Sequence, residues 1–419
     1  MKIKSLMQKI TSHSLAKDSM IMFAGSMVAN LTSYMYHLLM GRWLGPSGYG
    51  ELSSLLSIFY IFTVPLNVGA LVLVKFISGF KANGEVGQTK SLFLRVTKAS
   101  ILVSVALLPI VIVASPFITK YLHIQSPLLF LLVYVIFVFS LLTVIMSSVL
   151  QGYQKFLWVS VLGAGAILIK LLISIPAVQF NVTGVLIATL ISGVLMYGLN
   201  FLPLRFLFTT KEVPMKLTKR EAFTFAVPTL FVTLGMTSIY STDMILVRHY
   251  FAGFDAGVYA SLTVLGKIIF YASSILATVF YPVLSERTAK GEKTDALIGV
   301  GLLSVMAISL GITATYFLFP NVIIRMLFGS SYVAGSTFLG LFGIFLVLYS
   351  IGNMFTVTFL ATGKTKIWII PVVCALLQIV GISIWHQTIQ MVIYINIGIS
   401  ALLVLGLGGY YLHNKKSTT

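Results

Sequence analysis

Charged residues are scarce in this chain of 419 residues: they make up 9% of it, and only 10 residues are acidic. A soluble protein usually carries about 25% charged residues. Cysteine is almost absent too, and the single Cys374 excludes a disulfide framework and a cysteine-based metal site. No G-x-S-x-G, P-loop or H-E-x-x-H pattern is present, and no loop carries an acidic cluster suited to Mg²⁺. These absences argue against a soluble domain and against an enzyme.

Long apolar runs fill the chain instead. Hydrophobic residues make up 58% of it, and the mean hydropathy is +1.01. The runs stay apolar over roughly 20 residues, the length of a membrane-spanning helix, and do not alternate as barrel strands do. The predicted fold is therefore an all-α, polytopic membrane protein with about 12 transmembrane helices. The predicted spans lie near 19–40, 52–76, 98–119, 127–150, 157–178, 183–208, 222–250, 258–283, 297–319, 337–360, 366–385 and 388–412.

Basic residues are distributed unevenly between the connections. Of the 28 lysines and arginines, 21 fall in the two termini and in alternate connections. By the positive-inside rule this bias predicts a cell-membrane protein with both termini in the cytoplasm. The tail MKIKSLMQKITSHSLAKDS is expected to stay uncleaved. The net charge of +18 then reflects topology and contact with anionic lipids, with no nucleic-acid partner. Four basic residues fall on the opposite side and three within spans: Arg42, Lys120, Arg248 and Arg325, then Lys75, Lys170 and Lys267.

Three landmarks recur about 204–211 positions apart, close to half the chain length. GRWLGPSGYGELSSL after span 1 matches RHYFAGFDAGVYASL after span 7, so that Gly50 corresponds to Gly257. SPFITKYLHI before span 4 matches FPNVIIRMLFG before span 10. LQGYQKFLW after span 4 matches ATGKTKIWI after span 10, and this alignment pairs Gly152 with Gly363. The shared order and offset predict an internal duplication.

Each half contains six spans, an even number, so both halves have the same orientation in the membrane. We therefore expect two six-helix lobes, 1–208 and 222–419, related by a pseudo-twofold axis along the membrane normal. Transporters built from such repeats bind their substrate where the repeats meet. The basic segment 209–221 is predicted to link the lobes in the cytoplasm.

The same segments carry a family resemblance. GRWLGPSGYGELSSL, STDMILVRHYFAGFDAGVYA, YPVLSE at the end of span 8 and the G-x-x-K turns resemble the polysaccharide-export flippases of the multidrug/oligosaccharidyl-lipid/polysaccharide exporter superfamily. The resemblance covers nearly the whole chain. It implies two six-helix lobes in a V and a central cavity lined by spans 1, 2, 7 and 8. It also implies movement of an undecaprenyl-diphosphate-linked oligosaccharide from the inner to the outer leaflet, for lipopolysaccharide or capsule biosynthesis.

The expected partners follow from that resemblance. They are the lipid-linked oligosaccharide, the membrane lipids, and a polysaccharide polymerase and glycosyltransferases acting on the same material. No cofactor is expected, and H⁺ or Na⁺ are the alternatives for a coupling ion.

Polar residues form stripes inside several predicted spans. In span 1, Asn30 and His37 continue a stripe that begins at Ser26, with helical spacing. Span 2 contributes Asn67 to a looser stripe, and span 8 contributes Tyr271 next to its lysine. Small hydroxyl residues also permit close helix packing, so a single one has two interpretations. Stripes that contain His or Lys favour a hydrated cavity, in which tyrosines stack on sugar rings.

Ionisable residues in a bilayer cost several kcal/mol unless they are paired or hydrated, so each is a candidate site residue. Asp243 in span 7 is the only carboxylate clearly inside a predicted span, and it is the best candidate for cation coupling. Lys267 in span 8 lies at a similar depth. The two predict either an ion pair that stabilises the lobe or a gating or proton-coupled pair.

The remaining intramembrane charges are basic. Lys170 in span 5 either extends to the interface or faces the cavity, and Lys75 near the end of span 2 either extends outward or takes part in gating. Arg42 and Arg248 occupy matching positions in the two halves, as interface anchors or as a basic rim that handles a diphosphate. The net cationic interior favours an anionic cargo, because charge-assisted hydrogen bonds offset the desolvation of phosphate.

Three rival classes are weighed against this hypothesis. A cation-coupled multidrug exporter of the same superfamily is expected to have an acidic, aromatic cavity, whereas this interior is mainly basic. A polytopic polysaccharide polymerase or ligase is expected to have a large outer loop rich in Arg or His. A major-facilitator transporter has an acidic and arginine-rich second connection, which FKANGEVGQTKSLFLR lacks.

Overall fold

The structure, a computed structural model, describes the backbone of residues 2–214, 219–290, 292 and 294–416. Within these ranges it describes the side chains of all residues except 2–19, 219–225, 278, 279, 282, 286, 289, 365 and 414–416. Residues 215–218 of the predicted linker 209–221 therefore lie outside the described residues.

Helices account for nearly all of the regular structure. The described part of the chain contains fourteen α-helices and no β-strand. Ten helical segments of it are long and apolar enough to cross a bilayer. These findings confirm the prediction of an all-α, polytopic membrane protein. The helices are α1 (Lys2–Ala82), α2 (Val86–Tyr121), α3 (Pro127–Gly152), α4 (Phe156–Ala177), α5 (Asn181–Asn200), α6 (Arg205–Thr209), α7 (Lys219–Ile239), α8 (Thr242–Tyr250), α9 (Gly253–Ala289), α10 (Asp295–Leu318), α11 (Pro320–Leu327), α12 (Ser336–Ala361), α13 (Ile369–Ile384) and α14 (Ile389–Lys416).

Two of the apolar segments are long enough for two membrane passages each. The segment Met20–Ala82 has 63 residues and contains predicted spans 1 and 2. At 1.5 Å per residue it measures about 95 Å, against about 30 Å for the hydrocarbon core. Its helix is interrupted only at Gly45, with φ 67° and ψ 176°. Pro46 follows, so a left-handed glycine ends one helix and a proline begins the next. The connection predicted between these spans is thus a single non-helical residue.

Predicted spans 5, 6 and 7 also differ in detail from the helices. Spans 5 and 6 lie in the 45-residue segment Phe156–Asn200, which is interrupted by a 3₁₀ turn at Val178–Phe180 and a positive φ of 56° at Asn181. The predicted span 222–250 is divided into α7 and α8 by residues 240 and 241. This break frees backbone groups in the middle of an apolar segment, and these groups need polar partners.

The chain forms two compact units that interleave along the sequence. Unit 1 consists of Met1–Leu39, Pro65–Lys120 and Ile124–Ala222, and unit 2 of Met40–Val64, Tyr121–His123 and Phe223–Thr419. Two short pieces of the first half of the chain therefore pack with the second half. The lobe boundaries at 208 and 222 stay a prediction.

The core of unit 1 forms where α1, α2, α3, α4 and α5 pack together. Val149 and Leu150 on α3 are fully buried there, together with Phe93 on α2. A Cβ atom on Gly152 would come within 2.5 Å of the Ile77 side chain, so the end of α3 approaches α1 as closely as a glycine permits.

The core of unit 2 surrounds α12, which packs against α9, α10 and α14. Glycines allow these close contacts. A Cβ on Gly343 would lie 2.8 Å from Thr313 on α10, and one on Gly352 would lie 2.7 Å from Leu403 on α14. Such small residues at helix contacts are typical of membrane helix bundles.

The turns after α3 and α12 share one geometry and correct the alignment of the halves. The backbone N–H of Lys155 donates to Leu150, and that of Lys364 donates to Phe359, each at 2.9 Å. The preceding residues, Gln154 and Gly363, have φ of 58° and 72°. Both turns are Schellman-type helix ends. Gly363 therefore corresponds to Gln154, and the pairing with Gly152 was wrong by two residues, because sequence matching placed glycine on glycine.

Candidate functional site

Unit 1 contains a membrane-embedded lysine that rests on an aromatic ring. Lys170 on α4 places Nζ 3.7 Å from the centre of the Tyr36 ring on α1. Ser174, one helical turn further on, is buried, and its hydroxyl has no hydrogen-bond partner in the described chain. Lys170 forms no ion pair with any carboxylate that the structure describes. Among the described groups, the Tyr36 ring face is the contact that stabilises its charge.

Unit 2 contains a second lysine that lies near aromatic rings. The Nζ atom of Lys267 on α9 lies 4.8 Å from the ring centre of Tyr60 and 5.4 Å from that of Tyr240. Tyr240 lies at the break between α7 and α8, so the break positions one of the two rings. The side chain of Lys267 makes no ion pair with a carboxylate in the described ranges.

Asp243 is the centre of a buried polar network in unit 2. It lies in the first turn of α8 and is fully buried. Its Oδ2 accepts hydrogen bonds from the Tyr259 hydroxyl at 2.5 Å and from Asn396 Nδ2 at 3.2 Å, and its Oδ1 accepts one from the backbone N–H of Met244 at 2.8 Å. Lys267 interacts with this carboxylate electrostatically and without contact. The direct ion pair considered from the sequence is therefore replaced by hydrogen bonds to neutral groups.

The network continues to the break between α7 and α8. Gln378 on α13 donates through Nε2 to Asn396 Oδ1 and to the carbonyl of Ile239, both at 2.8 Å. The second bond supplies a partner to a carbonyl released at the end of α7. Two buried oxygens, Gln378 Oε1 and Ser241 Oγ, have no hydrogen-bond partner among the described residues.

Sequence reasoning identified Asp243 but missed Tyr259, Gln378 and Asn396. The signal was present for the two amides, because each is a polar side chain inside a predicted apolar span and such side chains mark interhelical bonds. Their convergence on Asp243 depends on the packing of α8, α9, α13 and α14, which the sequence pattern does not reveal.

The two arginines of the predicted rim make reciprocal helix caps. Arg42 donates through Nε to the carbonyl of Leu327 at 3.0 Å and through Nη2 to that of Met326, at the end of α11. Arg248 donates through Nε to the carbonyl of Leu122 at 3.0 Å and through Nη2 to that of His123 at 2.9 Å, just after α2. Each arginine thus caps a helix end from the other half of the sequence, and both contacts lie within unit 2.

Corresponding glycines meet close to these caps. A Cβ on Gly50 would lie 2.8 Å from the backbone nitrogen of Gly257, and a Cβ on Gly257 would lie 1.8 Å from the carbonyl oxygen of Pro46. The neighbouring Glu51 is buried and interacts electrostatically with Arg248. Glu51 is a second buried carboxylate, which the sequence analysis left outside the spans.

The other predicted site residues lie on more open surfaces. In unit 1, Asn30, Asn67 and Lys75 are exposed, and half-buried His37 makes an edge contact with the Tyr36 ring at 5.3 Å. In unit 2, Tyr271 is 49% exposed. None of these joins the Asp243 network. No group of three or more His, Cys, Asp or Glu suited to a metal ion occurs among the residues that the structure describes.

Comparison with known proteins relates this architecture to transporters. No protein-family model and no curated protein sequence matches the chain. Among solved structures, it is similar to the lipid II flippase MurJ in an inward closed conformation, with a TM-score of 0.74, 15% identity, and coverage of 94% of this chain and 87% of that one. It is also similar to an inward-facing multidrug resistance MATE family transporter of the MOP superfamily, with a TM-score of 0.75, 15% identity, and coverage of 92% and 94%.

A third similar structure is a MOP superfamily transporter from Pyrococcus furiosus, a protein described as having a binding pocket of reverse polarity. Its TM-score is 0.62 at 18% identity, and coverage is 95% of this chain and 94% of that one. At these identities the similarity concerns the fold. This chain has the multi-pass membrane fold of MOP superfamily transporters.

Proposed function

We propose that this protein is a flippase that moves an undecaprenyl-diphosphate-linked oligosaccharide from the cytoplasmic to the outer leaflet of the cell membrane by alternating access. In this role it acts between the glycosyltransferases that build the oligosaccharide and the polymerase that extends it, in surface polysaccharide biosynthesis. Its fold is that of membrane transporters, among them a lipid flippase.

The observation that carries the proposal is the pair of lysines held by tyrosine rings. Removing an ammonium from water costs several kcal/mol. A cation–π contact with a ring face stabilises the ammonium by about 0.5–2 kcal/mol, which is less than this desolvation cost. Lys170 and Lys267 form no ion pair with a described carboxylate, so each keeps its positive charge for an external anion. A diphosphate supplies that anion and gains charge-assisted hydrogen bonds in exchange for its hydration.

The runner-up function is a cation-coupled multidrug exporter, which the similarity to MATE transporters favours. A cationic drug needs a carboxylate that it can reach. Asp243 is fully buried, and both of its oxygens accept hydrogen bonds from the protein. The environment of Asp243 therefore fits a small coupling cation better than a drug.

We assign the coupling ion, a proton or Na⁺, to the Asp243 network. Asp243 is held by neutral donors, so its charge is not cancelled by direct contact with a cation. The unpartnered oxygens of Gln378 and Ser241 add acceptors to the same region. Asp243→Asn keeps the shape and removes the charge. We expect this variant to lose the dependence of transport on an imposed proton or sodium gradient, measured in vesicles with one gradient at a time, while cargo binding persists.

Reconstituted vesicles separate the two functions. Wild-type protein is expected to move a fluorescent undecaprenyl-diphosphate saccharide between leaflets, and Lys170→Gln and Lys267→Gln are each expected to slow this movement about tenfold or more, because each removes one charged contact to phosphate. Lys98→Gln in unit 1 and Lys364→Gln in unit 2 remove exposed lysines and serve as matched controls. Transport of ethidium by the wild type, with no movement of the lipid, would support the drug exporter and reject the flippase.

A further inference from the structure

A pocket of about 540 Å³ opens in unit 2, and neither Lys267 nor any residue of the Asp243 network is among its lining residues. It is lined by His123 after α2, by the end of α8 and by the residues that lead into α9. The lining residues are His123, Arg248, His249, Tyr250, Phe251, Ala252 and Gly253. Three candidate membrane spans begin or end here, at Tyr121, Tyr250 and Gly253. The pocket therefore lies where apolar helices of the described chain begin and end.

Arg248 lines this pocket, and one nitrogen of its guanidinium has no hydrogen-bond partner among the described residues. Nε and Nη2 are engaged by the carbonyls of Leu122 and His123. Nη1 makes no hydrogen bond to any described residue and lies next to Gly253, where a Cβ would approach it to 3.0 Å. The side chain is only 7% exposed, so two carbonyls fix its direction and leave Nη1 as an oriented donor.

Two imidazoles add donors on the same side. The ring of His249 stacks on that of Tyr121 with centroids 3.7 Å apart, and its Nδ1 lies 2.7 Å from the Tyr121 carbonyl oxygen. That contact places a hydrogen on Nδ1, so Nε2 accepts when the ring is neutral and donates when the ring is protonated. The ring of His123 is nearly parallel to that of His249 at 6.1 Å.

The backbone contributes further donors. The helix α9 has 37 residues and begins at Gly253, on the pocket wall. The first N–H groups of a helix lack helical acceptors and favour an anion. Together with Nη1 of Arg248 and the two imidazoles, they surround the pocket with donors from α8, α9 and the end of α2.

Other charged and titratable groups on the surrounding elements contribute to the net charge around the pocket. Glu51 on α1 interacts electrostatically with Arg248, and Asp255 lies in the first turn of α9. Lys120 lies at the end of α2. Tyr121 stacks on His249, and Tyr250 stacks on His386 at 3.7 Å. The two carboxylates offset the two fixed cations, so the charge on the imidazoles decides whether the region is positive.

We propose that this pocket binds a phosphate-type anion, a diphosphate or a phosphate monoester, and binds it when His123 and His249 are protonated. The anion accepts hydrogen bonds from Nη1 of Arg248, from the imidazolium N–H groups and from the first backbone N–H groups of α9. The inference does not rest on the proposed function, since the pocket contains neither Lys170 nor Lys267.

The test uses the purified full chain in detergent and inorganic pyrophosphate, titrated by calorimetry at about pH 5.5 and about pH 8, on either side of the range in which imidazole changes charge. We expect binding about tenfold tighter at the lower pH. His123→Gln and His249→Gln are each expected to remove most of this difference. His413→Gln, an exposed histidine on α14 outside the pocket, is the matched control.

The source of the phosphate is distinguished in nanodiscs. If phosphatidic acid weakens pyrophosphate binding by competition, a lipid headgroup occupies the pocket, and if it has no effect, the ligand is a soluble anion. Both results support an anion site. Absence of pyrophosphate binding at both pH values, or binding that is equally tight in His123→Gln, His249→Gln and the wild type, would overturn the proposal. If the wild-type protein binds pyrophosphate but does not move the lipid between leaflets, the flippase proposal is rejected and the anion site is still supported.

Discussion

The charge of one side chain, Lys170, is expected to lower the stability of the fold while it serves the proposed transport. Lys170 has an aromatic neighbour and no described carboxylate partner, so its charge destabilises the folded state more than an apolar residue of similar length would. Natural proteins keep such residues where function requires them.

The first prediction at this scale concerns Lys170→Met. We expect the melting temperature in detergent to rise or stay equal, because the cost of desolvating the ammonium is removed, while lipid transport falls about tenfold or more. The control Lys98→Met changes an exposed lysine and is expected to alter neither. A variant that unfolds more easily and still transports would show that Lys170 has a structural role.

A second prediction concerns the hydroxyl of Tyr259, which donates to Asp243 at 2.5 Å and accepts from Asn396 at 2.8 Å. Tyr259→Phe leaves a buried carboxylate short of a donor, at an expected cost of about 1–3 kcal/mol. Thermal unfolding in detergent measures the loss. Tyr394→Phe removes a hydroxyl from an exposed tyrosine on α14 and is expected to cost much less. Equal losses would mean that the network contributes little.

Residue-level reasoning from the sequence singled out Asp243 and missed its hydrogen-bond partners. Asp243 was recognised because a lone carboxylate in an apolar span is rare. Tyr259, Gln378 and Asn396 come from three different helices, and only packing brings them to it. The sequence predicted matching positions for Arg42 and Arg248 in the two halves, but their hydrogen bonds to backbone carbonyls cannot be read from spacing.

At the scale of helices, glycine and proline decide where the long apolar segments turn. Gly45 and Pro46 divide α1 without a loop, so a pattern that looks like two spans with a connection folds as one interrupted helix. The sequence predicted which parts of the chain are apolar, because this depends on composition, but its twelve spans lie in ten apolar segments of the described chain. It did not predict where helices join, because this depends on one or two backbone angles.

The contact between Gly50 and Gly257 leads to a prediction for these elements. Gly257→Ala places a Cβ against the Pro46 carbonyl at 1.8 Å, backbone that cannot move aside. We expect a loss of about 1–3 kcal/mol or more in unfolding free energy. Gly398→Ala on α14, where the space is open, is expected to be neutral or slightly stabilising. Gly257→Ala with unchanged stability would contradict the close approach.

At the scale of the molecule, the distribution of basic residues predicts cytoplasmic termini. The chain offers a simple check, since Cys374 is its only cysteine and is buried. In a Cys374→Ser background, we expect Lys120→Cys to react with a membrane-impermeant maleimide in intact cells. His413→Cys is expected to react only after permeabilisation. Exchange of these two results would reverse the proposed topology and the direction of transport.

The reciprocal arginine caps have a consequence for biosynthesis. The carbonyl of Leu122 accepts a hydrogen bond from Arg248, which is synthesised 126 residues later. Arg42 donates to the carbonyl of Leu327, which is synthesised 285 residues later. During synthesis the chain therefore emerges with a helix end that lacks its cap and an arginine that lacks its acceptor. Both are completed only when the other half has entered the membrane. Chains truncated after the sixth span are therefore expected to be targets for membrane quality control.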